Sequence, residues 1–536
     1  MNGTLEQVFD GYLDLRWAMN PVEATYEGLR AHDGALGRWD AESIKQDLAA
    51  LRSYEHALEE AEPATLEDEI DRTAALHAVR HEILVLEKER PYERNPGFHL
   101  THALNGIYLL LARTPEDPAQ RARAVLSRLQ AIPKFLETAV DAVTQPDSGF
   151  VELARAMIPG GRALIAKALD DPAVDLRAVD AKELAEARQG ALDALAKFSD
   201  ALDEMAADAG STFAIGRELF DKKLHTWHLL NENADELYRY GERLRAEAIA
   251  ALERAANDIR PGANWRDVVA ELRKDRPDRE GAIAEFTASM RRARQFTASR
   301  GLMKVPDAEL RVVETPEFLR ALIPYAAYQG PGAFDHAQVG MFFVTLPPKG
   351  ESWRADCRAE MPNTAVHEGF PGHHLQIVIG NSLPRRIRRV LSSPASREGW
   401  ALYCESLMAE EGFLEPPQRL FQAHHLLWRA LRIMLDVSLH TRGMTWQEAS
   451  RVLQDELGFD AQHADAEAKR YCAYPTYQLC YAVGRRDILR LREDARAARG
   501  GKFTLRAFHE DLLRYGAYPT ALARWGMGLQ LSLIHI

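Results

Sequence analysis

The sequence predicts a mainly α-helical chain with one small β-sheet set beside a histidine-rich motif. Three observations carry that expectation. Apolar residues recur near the helical period of 3.6 through most of the chain. Proline- and glycine-containing breakers separate these stretches. Shortly after residue 300 the pattern switches to β-branched alternation, the signature of strands. At 536 residues and 60.2 kDa the chain can bury a large core and build more than one subdomain.

Taken in order, residues 41–62, 67–88, 119–145, 179–208 and 235–259 show the amphipathic helical period. Pro133 is expected to kink or split the third of these. Pro91-Tyr92, Asn95-Pro96, Pro159-Gly160-Gly161, Asp171-Pro172 and Pro261-Gly262 read as breaks. Residues 99–113 are more apolar than their neighbours and are expected to run through the core. The charge-rich stretch 121–128 reads as a solvated helix surface. Residues 309–314 and 339–346 are the two strand candidates, the second stopped by Pro347-Pro348. Helices resume at 402–411, 418–438, 445–457, 478–497 and 505–515. The expected organisation is a helical region over 1–300 that forms part of a cleft, and a catalytic region over 301–530. Residues 531–536 do not fit the amphipathic pattern and read as a non-native tail, so His535 carries no functional expectation.

Composition excludes several classes. A net charge of −12 and a pI near 5.9 argue against nucleic acid as the main partner and against an anionic membrane surface. Hydrophobic content of 46% and charged content of 27% are ordinary for a soluble globular protein. The four cysteines, Cys357, Cys404, Cys472 and Cys480, form no C-x-x-C pair and read as reduced buried thiols. Met1-Asn2-Gly3-Thr4-Leu5-Glu6 has no basic start followed by an apolar stretch, and no run is long enough to span a bilayer. The chain therefore reads as cytoplasmic. Phosphate-loop, G-x-G-x-x-G and G-x-S-x-G patterns are absent.

Reactive chemistry concentrates in His367-Glu368-Gly369-Phe370-Pro371-Gly372-His373-His374. Two imidazoles with a carboxylate next to the first make a zinc half-site with its own base. The usual form is H-E-x-x-H, with histidines four apart on one helical face. Here Pro371 holds the fourth position and cannot donate the amide bond that would close the turn. A straight helix would point His373, six residues on, away from His367. A widened or broken turn, loosened by Gly369 and Gly372, would swing it back. His374 regains the face in a regular helix but lies about two turns, roughly 10 Å, along the axis. His373 is therefore favoured as second ligand, with His374 as its rival. Glu368, beside a ligand, is placed to act as general base on a zinc-activated water.

The stretch from His367 to Gln376, H-E-G-F-P-G-H-H-L-Q, resembles the signature of the bacterial DUF885 family, itself similar to gluzincin metallopeptidases of the thimet oligopeptidase and carboxypeptidase type. Arg397-Glu398-Gly399-Trp400-Ala401-Leu402-Tyr403-Cys404-Glu405 resembles the family's E-G-W-A-L-Y-x-E. Weaker similarity lies at residues 213–220, 474–484 and 508–519. The resemblance implies a multi-helical gluzincin-like architecture with a small sheet next to the zinc helix, whose strands either offer an edge near the metal to extended substrate or simply pack the sheet. It implies Glu398 as third zinc ligand, with Glu405 as rival or as the group that holds a ligand histidine. Trp400 and Tyr403 read as packing. Pro475, Leu479, Tyr481 and Gly484 match a family pattern near P-G-Q-A-L-S-Y-x-x-G, which Thr476 and Tyr477 leave. Tyr481 is the implied oxyanion donor, with Tyr474 and Tyr477 shaping the pocket. Arg470, Arg485 and Arg486 are candidates for a substrate carboxylate, though any one is more simply a surface arginine. His424-His425 reads as structural or as support to the ligands.

The expected activity is zinc-dependent hydrolysis of peptide bonds in short peptides, as a carboxypeptidase, dipeptidase or oligopeptidase. The alternatives are a non-peptide amidohydrolase with the same site and a non-catalytic helical metal-binding protein. Two nitrogens and one carboxylate also suit iron.

Overall fold

Short polar caps start the long helices. Asp40 accepts the N–H of Ser43 at 3.0 Å to open Ala41–Glu60. Asn233 and Thr445 open Ala234–Ile259 and Trp446–Leu457 with reciprocal bonds from Glu236 and Glu448. A computed structural model of the chain describes residues 4–112, 117–167, 175–208, 212–320, 323, 325–348 and 356–529. The protein is mainly α, with one three-stranded sheet among the described residues. Asp171-Pro172 and the tail 531–536 lie outside them.

The expected helices are present, with ends shifted by a few residues. They run Ala41–Glu60, Leu66–Leu84, Ala181–Asp208, Ala234–Ile259, Pro416–Thr441, Trp446–Leu457, Cys480–Arg499 and Leu505–Leu513. The helix expected from residue 402 begins earlier and spans Pro394–Glu410. Residues 99–112 fall in Pro96–Ala112, whose Leu100, Ala103, Leu104 and Ile107 are fully or almost fully buried, and residue 113 lies outside the described residues.

Pro133 does not split its helix, and Pro159 does not end its own. Pro118–Ala142 is one helix through Pro133, and Ser148–Lys167 is one helix through Pro159. An interior proline costs about 3 kcal/mol, whereas each large apolar side chain buried returns roughly 1.5–3 kcal/mol. Val151, Ile158, Leu164 and Ile165 are buried on the second helix, so packing wins. Gly161 serves that packing, since a Cβ there would stand 2.9 Å from Leu104.

The stretch 121–128 is not a solvated face. Arg128 is fully buried and Arg121 nearly so. The Arg128 guanidinium donates to the carbonyls of Ala35 at 3.0 Å and Gly106 at 2.5 Å, and to the Thr25 hydroxyl at 2.6 Å. It ties the N-terminal helices to the bundle through carbonyl acceptors, which no charge pattern reveals.

The sheet has strands β1 (Glu309–Glu314), β2 (Ala326–Gln329) and β3 (Val339–Val344) in the order β1-β3-β2. β1 runs parallel to β3 with Val312 opposite Phe342; β2 runs antiparallel to it with Tyr328 opposite Phe342. β2 was not expected. The strand that arrives before the motif, β3, is central, so both its edges are already paired; β1 and β2 are the edges.

Four apolar clusters hold these parts together. One joins Tyr12, Leu13 and Trp17 to Trp400, Tyr403, Phe508 and Tyr515, so both ends of the chain share a core. A second packs Leu237, Leu244 and Leu252 against Leu427, Ile433 and Val437 of Pro416–Thr441. A third fills the bundle Pro96–Ala112, Pro118–Ala142, Ser148–Lys167 and Ala181–Asp208. The smallest sets Phe286 and Met290 between Phe342 of the sheet and Ala365, which fixes where the motif begins.

Candidate metal centre

The motif starts as a widened turn. Met361–Thr364 leads into a π-helical turn, Ala365–Gly369, in which the N–H of Phe370 reaches the carbonyl of Ala365 at 3.2 Å. The Phe370–Pro371 peptide is cis. The Gly372 N–H then folds back onto the carbonyl of Val366 at 3.0 Å. A Cβ at Gly372 would overlap the carbonyl oxygens of His367 and Val366, so only glycine lets the chain cross its own turn. The helix His373–Asn381 starts from that crossing. The His367 and His373 rings consequently meet at right angles, centroids 4.8 Å apart.

Glu398 completes a cluster with them. Its Oε2 lies 3.7 Å from His367 Nε2 and 3.4 Å from His373 Nε2. One donor atom from each of the three residues falls within 4.8 Å of the others, and among the described residues this is the group of its kind. His374 points elsewhere: it is fully buried against the sheet, where its Nδ1 hydrogen-bonds the Tyr328 hydroxyl at 2.9 Å and crowds Gly340.

One helix, Pro394–Glu410, serves the cluster at several levels. Trp400 Nε1 donates to the carbonyls of Pro371 at 2.9 Å and Gly372 at 3.3 Å, and the Cys404 thiol donates to that of Pro371 at 3.5 Å. These contacts hold the crossing in place. Two turns after Glu398, the buried Glu405 accepts from His367 Nδ1 at 2.7 Å. His425 stands behind Glu405 at 3.9 Å, and His424 turns to the carbonyl of Leu457 at 3.2 Å. Tyr403 packs and hydrogen-bonds His509 at 2.7 Å. All four cysteines are free and buried.

The electrostatics favour a cation. Burial opposes charge on His367, but hydrogen bonds to Glu398 and Glu405 and the field of Glu368 more than offset it, lifting its pKa to about 10. Burial would raise Glu398 too, yet His373 and His367 hold it well below the usual carboxylate range. Glu368 is half-buried and acts electrostatically on His367, on Tyr328 of β2 and on Asp356.

The tyrosines enter from a turn and helix packed on the other side. Gly399 and Gly484 touch backbone to backbone: a Cβ at Gly399 would stand 2.5 Å from Gly484, and one at Gly484 would overlap the Ala395 carbonyl. This brings Cys480–Arg499 against Pro394–Glu410. Tyr477 donates its hydroxyl to Glu398 Oε1 at 2.7 Å. Tyr481 stacks on His367 with centroids 6.2 Å apart, and Arg429 and Arg432 lie over its ring at 5.4 and 4.7 Å. Tyr474 is exposed. The turn itself is clamped by the buried Asp436, which accepts the N–H groups of Thr476 and Gln478 at 3.1 Å each and of Leu479 at 3.4 Å. Thr476 has φ +67, a left-handed conformation that this clamp sustains.

A cavity of about 260 Å³ reaches Glu398 and Tyr477 from the N-terminal helices, lined also by Arg16, Glu27, Glu82 and Arg397. The three arginines expected to meet a substrate carboxylate are engaged away from it. Arg470 pairs with Glu467 at 2.7 Å, Arg485 donates to Ser406 at 2.7 Å, and Arg486 pairs with Glu232 at 2.8 Å. Sequence reasoning gave no role to Arg397, although it stands inside a quoted motif, and had no signal at all for Asp436.

Fold and cluster together define a helical protein with two imidazoles and a carboxylate converging beside a cavity that Glu398 lines. The family described as "Bacterial protein of unknown function (DUF885)" matches residues 21–526, and the chain belongs to it. The fold recurs in a candidate lipoprotein of unknown function from Shewanella oneidensis, 22% identical, with a TM-score of 0.79 over 98% of this chain and 100% of that one. It recurs in a candidate lipoprotein from Colwellia psychrerythraea, 18% identical, with a TM-score of 0.83 over 98% of each chain. No curated protein matches. Among the described residues no helix is long and apolar enough to cross a membrane.

Proposed function

We propose that the protein is a zinc-dependent hydrolase of peptide or related amide bonds, gluzincin-like in chemistry, with the ion held by His367, His373 and Glu398. The donor set supports this reading. Ligand atoms on a tetrahedral zinc at 2.0–2.1 Å stand about 3.3 Å apart; the imidazole-to-carboxylate separations of 3.7 and 3.4 Å are close to that. Three protein donors leave a position open, as catalytic rather than structural zinc sites do. When bound, zinc would supply Lewis acidity and an acidified water.

The remaining roles belong to the chain. Glu405 fixes the tautomer and direction of His367 through its Nδ1. Tyr477 steadies Glu398. Glu368 takes the proton of the attacking water and returns it to the leaving amine. Because the Tyr477 hydroxyl is already committed to Glu398, Tyr481 is the phenol left to donate to the developing oxyanion. A cavity of about 260 Å³ lies below the roughly 300–1,000 Å³ of drug-sized sites, which favours one end of a short peptide over a long segment.

The observation that carries the proposal is the convergence of the three donors with Glu368 beside the first. Zinc-loaded wild type should cleave members of a short-peptide library. Glu368→Gln should keep its zinc and lose about 10²–10⁴-fold in rate. A zinc-loaded wild type inert towards every peptide and amide tested would contradict the proposal.

A further inference from the structure

Of the arginines that line the cavity beside the cluster, Arg397 is the one without an ion pair among the described residues; Arg429, over the Tyr481 ring, has none either but does not line the cavity. It follows Pro394 on the helix that carries Glu398, the next residue, and both line the cavity. Its Nε is buried and has no hydrogen-bond partner. Its surroundings are the Tyr26 hydroxyl, Glu27 and Tyr477. Among the described residues no carboxylate oxygen comes within the 4.0 Å of an ion pair. A buried guanidinium left unpaired is costly.

The other charges of the cavity are committed. Arg16 pairs with Glu23 at 2.7 Å and Glu82 at 2.8 Å. Glu27 accepts the N–H of Ala333 at 3.3 Å. Arg397, which feels the field of Glu27 but makes no ion pair with it, is therefore the cavity's unpaired arginine, one residue from a candidate metal ligand, in a cavity too small for a long segment.

We propose that Arg397 recognises the free α-carboxylate of the substrate's C-terminal residue, so that the site releases single residues from the C-terminal end of short peptides. This rests on the hydrolase reading above. Planar, bidentate pairing is what a guanidinium offers a carboxylate. In the reaction the amide C–N bond breaks, water supplies the new C–O bond, and the water's proton passes through Glu368 to the amine of the released residue.

The test separates recognition from turnover. The probe is a set of N-acetylated tripeptides ending in each of the twenty residues, made both as free acids and as C-terminal amides. Equilibrium dialysis with mass-spectrometric detection measures their retention by zinc-loaded Glu368→Gln protein. Free acids should be retained about tenfold or more over amides. Adding Arg397→Met should abolish that preference, and adding Arg397→Lys should keep part of it. The preference of the Arg397-intact protein is read without any substitution in the cavity, so a variant that fails to fold does not decide the outcome. Equal retention of acids and amides, no retention of either, or a preference that survives Arg397→Met would overturn the assignment. Acid-selective binding with no cleavage by wild type would retain Arg397 as the carboxylate site and remove the hydrolase reading. Cleavage of acids and amides alike would do the reverse.

Discussion

Glu405 accepts a hydrogen bond from Nδ1 of His367 at 2.7 Å, and the carboxylate is almost fully buried. Burial alone would raise its pKa, but the bonds to His367 and His425 hold it well below the usual range, so it remains an anion. With Nδ1–H directed to Glu405, Nε2 is the His367 nitrogen that faces Glu398 and is available to a metal once its proton is displaced. Outer carboxylates of this kind typically contribute 10–100-fold to metal affinity. Glu405→Gln should weaken zinc binding by about 10–100-fold, measured by competition with a chelating dye. An unchanged affinity would mean that Glu405 only fills space.

The Gly399–Gly484 contact sets how close the tyrosine helix comes to Glu398. The atoms that a Cβ at Gly484 would strike are backbone, which cannot rotate away. Gly484→Ala should lower stability by about 1–3 kcal/mol and separate Tyr477 from Glu398. Gly501→Ala, with open space around it, should stay within about 0.5 kcal/mol of wild type. Thermal melts of both variants check the pair. Equal melting temperatures would count against the tight crossing.

Glu467 gives a pH signature away from the cluster. Burial would raise its pKa, yet Arg470 and Arg432 bring it well below the usual carboxylate range. A depressed carboxylate pKa contributes stability that is present above the unfolded value and is lost as pH falls below it. Glu467→Gln should therefore destabilise the protein at pH 7, by about 3 kcal/mol for a buried pair, and the gap to wild type should begin to narrow below about pH 4 and shrink further with each step down. Melting temperatures between pH 7 and pH 3.5 measure it. A gap independent of pH would show that packing, not charge, is what Glu467 contributes.

Much of the site was legible because its departures from a regular helix were themselves informative. Pro371 in the fourth position, with Gly369 and Gly372 around it, announced a widened turn, and the π turn with its folded-back Gly372 brings His373 round. Glu405 was readable as support for a ligand histidine because it falls two turns after Glu398 on the same helix. Tyr477 was read only as a pocket group because it departs from the family pattern, and its bond to Glu398 depends on a turn clamped by Asp436 from another helix. Arg128 and Arg397 look like any other arginine in the sequence; only tertiary packing shows that one caps carbonyls and the other faces a cavity. β2 is four residues long, too short for alternation to show. Pro133 and Pro159 misled because local propensity is weaker than the apolar burial of a long helix.

The most direct measurement is zinc per chain, by elemental mass spectrometry, for wild type beside His373→Ala, His374→Ala and Glu398→Ala. The account predicts about one zinc in wild type, its loss in His373→Ala and Glu398→Ala, and its retention in His374→Ala. A folded wild type that takes up no metal when supplied with zinc, or a site lost in His374→Ala and kept in His373→Ala, would contradict it.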